Sequence, residues 1–270
     1  MQATVVALVV VSAFFHLGWN LVIRGRSGSL LFVWWLTLFG GLVATALTLI
    51  LRIPLQFGQV WPWLAGTIAF HALYFLGLSR SYKDGALAEV YSATRGGGVL
   101  GTTLLAGLLF HQRLPLLTLI GVVAVSLLII VPALRGRQKP GVILWAALVA
   151  LTIAVYSTVD SHGVRLLSPI PYIACQFLGV AAILAPWAWR DHSPVDKRLA
   201  VGAGMMSVVS YLLILYAYQR ASAAPVVALR QIGIAVSPLA GWLLLKERVR
   251  RYTWWVSLGI ALGSVLIVLG

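Results

Sequence analysis

Read from its N-terminus, the chain is a succession of apolar runs separated by short polar connectors. The runs fall at about 3–23, 30–51, 62–79, 86–109 and 115–133, then at about 141–160, 170–189, 199–218, 225–245 and 252–270. Most come close to the roughly 20 residues that carry an α-helix across the hydrocarbon core of a bilayer. Backbone in lipid must satisfy its own hydrogen bonds, which leaves helices or closed barrels. A barrel strand alternates apolar and polar positions, whereas these runs are continuously apolar. The pattern predicts an all-α membrane protein with ten transmembrane helices.

The most basic connector, Leu134-Arg135-Gly136-Arg137-Gln138-Lys139-Pro140-Gly141, divides five predicted helices from five. The expected organisation is a first five-helix repeat over 1–134, a basic connector over 135–140 and a second repeat over 141–270. An ungapped shift of 135 positions lays Arg95 over Arg230, Gly98 over Gly233, Arg113 over Arg248 and Thr118 over Thr253. A shift of 140 pairs His16 with Tyr156 and Asn20 with Asp160. Apolar coincidences are common in membrane sequences, but aligned arginines are not. Since five is odd, the halves must insert with opposite orientation, giving two inverted five-helix repeats. In transporters of this construction the substrate site lies near the bilayer midplane, between the repeats.

Composition agrees with the pattern: 61% of the 270 residues are hydrophobic and 10% charged, against about 25% charged in soluble domains. The formal net charge is nevertheless +14, which raises the question of a nucleic-acid surface. The placement of the cations answers it. Fourteen Lys and Arg residues fall in the connectors of one side (Arg24 and Arg26, Arg80 and Lys83, three in 135–139, Arg190, Lys197 and Arg198, and four in 246–251), against four on the other. By the positive-inside rule the richer side is cytoplasmic, so both termini are expected outside. The charge sets orientation and contacts anionic lipid; no nucleic-acid partner is expected. The N-terminus lacks a basic n-region, so the first run reads as a retained span. Tryptophans cluster near span ends as an interfacial belt.

Two cations escape the connectors. Arg95 and Arg230 lie inside their spans at matching repeat positions, where an arginine costs on the order of 2.5–3.5 kcal/mol on insertion scales. Such residues mark functional sites or pair with other buried charges. Here they are expected to face a central cavity and hold a carboxylate or phosphate in a guanidinium fork, the alternative being internal pairing with Glu89 or Asp160. Those two are the only acids inside spans, and they read as coupling or gating groups together with His16; Asp160, near its span's end, could also be solvated. Tyr91 shares a helix face with Arg95. Asn20, the only asparagine, adjoins Trp19 and reads either as a site residue or as helix glue. Tyr156 and Gln231 complete the expected substrate-binding set with Arg95, Arg230, Tyr91, Trp19 and Asn20. His71 reads as a satisfied interhelical histidine. Gly96-Gly97-Gly98 should weaken the fourth helix and admit other backbone or a ligand. Gly97-x-x-x-Gly101 and Gly259-x-x-x-Gly263 permit close helix contact, internal or in a homodimer.

Absent motifs narrow the class. There is no Gly-x-Ser-x-Gly, Walker loop, His-Glu-x-x-His or cysteine pair, so no cofactor, metal or catalytic centre is expected. No soluble segment is large enough to bind ATP. A non-enzymatic secondary transporter comes first, and a small intramembrane enzyme or lipid-binding partner second.

At this point the chain resembles a drug/metabolite transporter of the EamA type. The resemblance rests on His16-Leu17-Gly18-Trp19-Asn20, on Tyr91-Ser92-Ala93-Thr94-Arg95-Gly96, on Tyr156 to Arg165, on Ala228-Leu229-Arg230 and on Gly241 to Arg248. It implies a multi-pass permease of ten helices in two inverted repeats. A similar subgroup, with His-x-x-Trp-Asn and Tyr-Pro-x-x-Arg-Gly, includes members associated with phosphonate-utilisation genes. Ser92 stands where that subgroup has proline, and Gln112 where a glutamate follows the fourth helix. Family members are often placed with cytoplasmic termini, contrary to the charge count. The resulting expectation is an alternating-access transporter of the cell membrane, in a bacterium the inner membrane. Its partners would be lipids and a small anionic or zwitterionic solute; the other reading is export of neutral or cationic amphipaths.

Overall fold

The computed structural model describes residues 1–24, 29–84, 87–134, 140–245 and 251–270; within these, several helix-end stretches, among them 20–24, 81–84, 87–93 and 243–245, are described by their backbone alone. The described residues form helices and turns without a strand. In chain order the helices are α1 (Ala3–Arg24), α2 (Leu30–Ile50), α3 (Trp61–Asp84), α4 (Leu87–Phe110), α5 (Leu116–Leu134), α6 (Pro140–Leu166), α7 (Pro169–Ala188), α8 (Lys197–Tyr218), α9 (Ala223–Arg230), α10 (Ile232–Leu245) and α11 (Arg251–Leu269). Each of the ten apolar runs is thus helical, with three departures, the first being that α3 continues to Asp84, five residues beyond its expected end. The sixth helix continues to Leu166, a turn and a half beyond its expected end. The ninth run is broken at Gln231 into α9 and α10.

Polar residues just outside the apolar runs set the helix ends. Ser29 Oγ accepts from the Phe32 amide at 3.2 Å, and Asp196 accepts from the amides of Arg198 and Leu199 at 3.0 and 3.3 Å, satisfying first-turn donors that have no intrahelical partner. Pro169 opens α7 at a position where no amide is needed. Arg52 and His111, both at φ 50°, close α2 and α4 in the left-handed conformation. The following amides bond back to Thr48 O and Ala106 O, as in a Schellman cap.

One connector acid holds two elements together. Asp191, between α7 and α8, accepts from Ser29 Oγ at 3.0 Å and the Leu31 amide at 3.2 Å, as well as from Ser193. Partial burial alone would raise its pKa. The bonds from Ser193, Leu31 and Ser29 outweigh that effect and lower it to about 2. A carboxylate depressed in the folded state stabilises fully above its unfolded value and loses that contribution as pH falls towards 2. Asp191→Ala is therefore expected to cost on the order of 1–2 kcal/mol at neutral pH after solvent screening. Melts of wild type and variant should converge at the acid end of a pH series.

Packing is dominated by helix pairs from opposite halves. α1 packs on α8 and α6 on α3; α2 packs on α7, α5 on α11, α4 on α5 and α6, and α10 on α11. The short α9 touches α1 and α4. The Met1 amino group donates to Val268 O at 2.6 Å, so both termini lie on one side. Leu104, Leu108, Leu109, Leu144, Leu151 and Trp255 face outward. Among the described residues, five helices (Leu30–Ile50, Ile143–Leu166, Pro169–Ala188, Lys197–Tyr218 and Arg251–Leu269) are long and apolar enough to cross a membrane.

The glycines act in packing. α4 runs unbroken through Gly96-Gly97-Gly98. A Cβ at Gly96 would lie 2.9 Å from Ser126 O of α5, and at Gly97 and Gly101 2.9 and 2.8 Å from Ala150 and Ala154 of α6. Other helices, rather than a ligand, occupy the space these glycines leave. Gly259 and Gly263 likewise admit Leu128 and Val125 of α5. Of the tryptophans near span ends, Trp61, Trp187, Trp189, Trp254 and Trp255 are exposed as a belt requires. Trp34 is instead tied inward by its indole N–H to Ala181 O at 2.9 Å.

Candidate functional site

Arg95 and Arg230, far apart in sequence and one from each half, meet on a single imidazole. Arg95 Nη2 lies 2.9 Å from His16 Nε2 and donates to the Tyr74 hydroxyl at 3.3 Å. Arg230 Nη2 lies 3.1 Å from His16 Nδ1 and donates to Ser210 Oγ at 3.1 Å. The indole N–H of Trp19 donates to the same His16 Nδ1 at 3.1 Å. α1, α3, α4, α8 and α9 therefore converge here. Trp19, Tyr74 and Arg95 are buried, while His16 and Arg230 keep part of their surface exposed.

Local structure explains how Arg230 gets there. It is the last residue of α9, where a cation is favoured by the carbonyl end of the helix dipole. The Gln231 amide hydrogen bonds to Ala228 O rather than to Val227 O, and the Gln231 side-chain amide donates to Val227 O at 2.8 Å. Gln231 thus supplies from its side chain the bond the break removes, and its amide nitrogen is taken up by backbone rather than offered to a solute. Arg230 Nε is buried without an acceptor. Its guanidinium sits 5.6 Å from the centre of the Tyr211 ring, within cation–π range. Among the described residues no carboxylate pairs with it.

Of the two acids that could have paired with the arginines, Asp160 lies behind them. Asp160 is wholly buried, not solvated at a span end, because α6 continues beyond it. The hydroxyls of Tyr172 (2.8 Å) and Tyr211 donate to its carboxylate. Internal pairing of Asp160 with an arginine does not occur; Tyr211 stands between, its hydroxyl on Asp160 and its ring under Arg230. Tyr156 also sits behind the arginines, its ring 3.8 Å from that of His71 and 5.8 and 6.5 Å from those of Tyr74 and Tyr211. His71 is held by Thr67 at 3.0 Å and Gln176 at 2.9 Å, an interhelical histidine as expected. The side chains of Asn20, Glu89 and Tyr91 lie outside the described residues.

Sequence reading missed Tyr74, Ser210, Tyr211, Thr67, Tyr172 and Gln176. A signal existed for two of them: a shift of 137 lays Tyr74 over Tyr211, and each tyrosine contacts the arginine of its own half. The others are polar residues in otherwise apolar helices, which one-dimensional patterning does not distinguish from hydroxyls bonded to their own helix. A cleft lined by Thr103, Ala106, Gln112, Leu114, Leu119 and Ala224 lies apart from this cluster.

Comparison with known proteins agrees with the architecture. A family model described as the EamA-like transporter family matches residues 140–269. No curated protein matches the chain. A protein of known crystal structure is similar over 100% of this chain and 99% of its own, with a TM-score of 0.79 at 18% identity; likeness at that identity shows the fold. Over residues 140–269, just under half of its length, this multi-pass, all-helical membrane chain is thus similar to the EamA-like transporter family.

Proposed function

We propose that the protein is a secondary transporter of small anionic solutes, working by alternating access between two inverted five-helix repeats, 1–134 and 141–270. The helix pairing supports the repeat. Exchanging each helix for its counterpart in the other half turns the α1–α8 contact into α6–α3 and the α2–α8 contact into α7–α3, and leaves α2–α7 and α5–α11 unchanged. The break beside Arg230 supports a site there, since discontinuous helices form the midplane sites of such transporters. The charge census supports an orientation with both termini outside.

The observation that carries the anion assignment is Arg230. A part-buried guanidinium met, among the described residues, only by an imidazole, a hydroxyl and an aromatic face, with its Nε–H buried and unsatisfied, is an incomplete electrostatic arrangement. A carboxylate, phosphate or phosphonate completes it, with Arg95 as its second anchor. In proteoliposomes carrying the purified protein, uptake of a labelled small carboxylate or phosphate is expected to be competed by other anions and not by cationic amphipaths. Uptake competed by cations and indifferent to anions would show that the arginines only pack the core.

A further inference from the structure

Three rings from three helices meet at one end of the molecule. His162, near the end of α6, stacks on Phe110, the last residue of α4, with ring centres 3.7 Å apart and an interplanar angle of 25°. It also stacks on Trp63, in the first turn of α3, at 5.3 Å and 16°. Trp63 and Phe110 meet each other at 6.2 Å. Here α3 begins, and α4 and α6 end, on the side that carries both termini. Since α3 and α4 belong to the first half and α6 to the second, the stack ties the two halves together on that side. The arginine cluster lies deeper: Phe110 follows Arg95 on α4 by fifteen residues, about 22 Å along the helix axis. Between the two levels α4 lies directly on α6, with no room for a Cβ at Gly98 against Ile153 (2.6 Å) or at Gly101 against Ala154 (2.8 Å). We infer that Trp63, Phe110 and His162 form the gate of the transporter on the terminal side, shut in this structure, and that the stack must part for a solute to pass between that side and the arginines.

The inference rests on the alternating-access reading above, in which one repeat rocks against the other around a fixed site. The bonding of the stack suits that motion. His162 Nδ1 lies 3.0 Å from Thr158 O, and only an N–H can meet a carbonyl oxygen, so Nδ1 carries the hydrogen. This bond is to its own helix and makes the ring travel with α6. Its contacts with Phe110 and Trp63 are ring to ring, so the helices can separate here without stranding a polar group. The stack is also peculiar to one end of the molecule. The shifts that relate the halves lay Trp63 over Ala200 (137), Phe110 over Leu245 (135) and Val22 over His162 (140). The counterpart positions at the other end carry no ring, as they would if the rings were a requirement of the repeat itself.

The test uses the full chain with Cys175→Ala, which removes its one cysteine, and Thr158→Cys as a probe one turn below His162 on the same face of α6. Thr158 is buried and its hydroxyl bonds to Ala154 O of its own helix, so a thiol replaces it at little cost. Right-side-out and inverted membrane vesicles are treated with a membrane-impermeant maleimide. With the stack intact, labelling from the terminal side is expected to be slow. His162→Ala and Phe110→Ala each remove two ring contacts and should speed labelling roughly 5- to 150-fold in that orientation alone. His162→Phe, which keeps the stack, should leave it slow. Unchanged labelling in both alanine variants, or a rise in vesicles of both orientations, would overturn the gate. A second arm reads transport: Phe110→Cys with His162→Cys, joined by a short reducible bifunctional thiol reagent, should lose uptake of a labelled anion in proteoliposomes and regain it on reduction. Full uptake by the cross-linked protein also overturns the gate. Labelling needs no solute, so the gate is read separately from the function: absence of anion uptake in the wild type overturns the anion reading, whatever the labelling shows.

Discussion

Arg95→Ala and Arg230→Ala are each expected to abolish uptake of anionic solutes in proteoliposomes while leaving the protein folded. Each arginine offers charge-assisted bonds to the solute, worth about 1.5–3 kcal/mol apiece, so removing one should weaken binding roughly 10- to 150-fold. Folding should survive because neither guanidinium depends on Asp160, and truncating Arg230 relieves its repulsion by Arg95. Arg95→Lys and Arg230→Lys should retain part of the binding, since lysine keeps the charge but not the planar fork. Full transport by both alanine variants, with normal melting behaviour, would remove the arginines from the site.

Asp160→Ala is expected to have the largest effect on stability. Its carboxylate is the common acceptor for the Tyr172 and Tyr211 hydroxyls, which come from α7 and α8. Removing it strands buried donors at about 1–3 kcal/mol each, and some rearrangement should bring the total to roughly 2–4 kcal/mol. Tyr211→Phe separates the roles of that tyrosine. It deletes the bond to Asp160 and keeps the ring under Arg230, so it should show about half of the Asp160→Ala destabilisation and lose little anion affinity. Thermal melts in detergent, with binding measured on the same samples, read both effects. An Asp160→Ala protein as stable as wild type would mean that the two hydroxyls find other acceptors.

Much of the fold was legible in the sequence because lipid imposes a one-dimensional rule. A span must be apolar for its full length, so lengths and breaks in hydropathy mark the ten helical runs to within a turn at most ends, those of α3 and α6 excepted. The end of α6 was misjudged because Ser161, His162 and Arg165 look like connector residues. Their polar groups are in fact compatible with a helix that continues, Ser161 and His162 bonding to Thr158 O. The break at Gln231 was invisible for a related reason. A glutamine in an apolar run carries no turn signal, and it breaks the helix here while restoring the lost bond from its own side chain.

The site was legible only in outline. A cation inside an apolar span is costly wherever it points, so Arg95 and Arg230 stood out from sequence alone, and their repeat positions suggested that they act together. Which groups they meet was not encoded in that way. Side-chain contacts between helices depend on the rotation and crossing of each helix, set by interdigitating apolar residues and by glycines such as Gly97 and Gly101 that bring α4 against α6. Hydropathy determined that the chain crosses the membrane and which charges had to be explained. Tertiary packing alone decided that His16 stands between the two arginines and that tyrosines hold Asp160 away from them, because meeting across helices is a property of three-dimensional register rather than of composition along the chain.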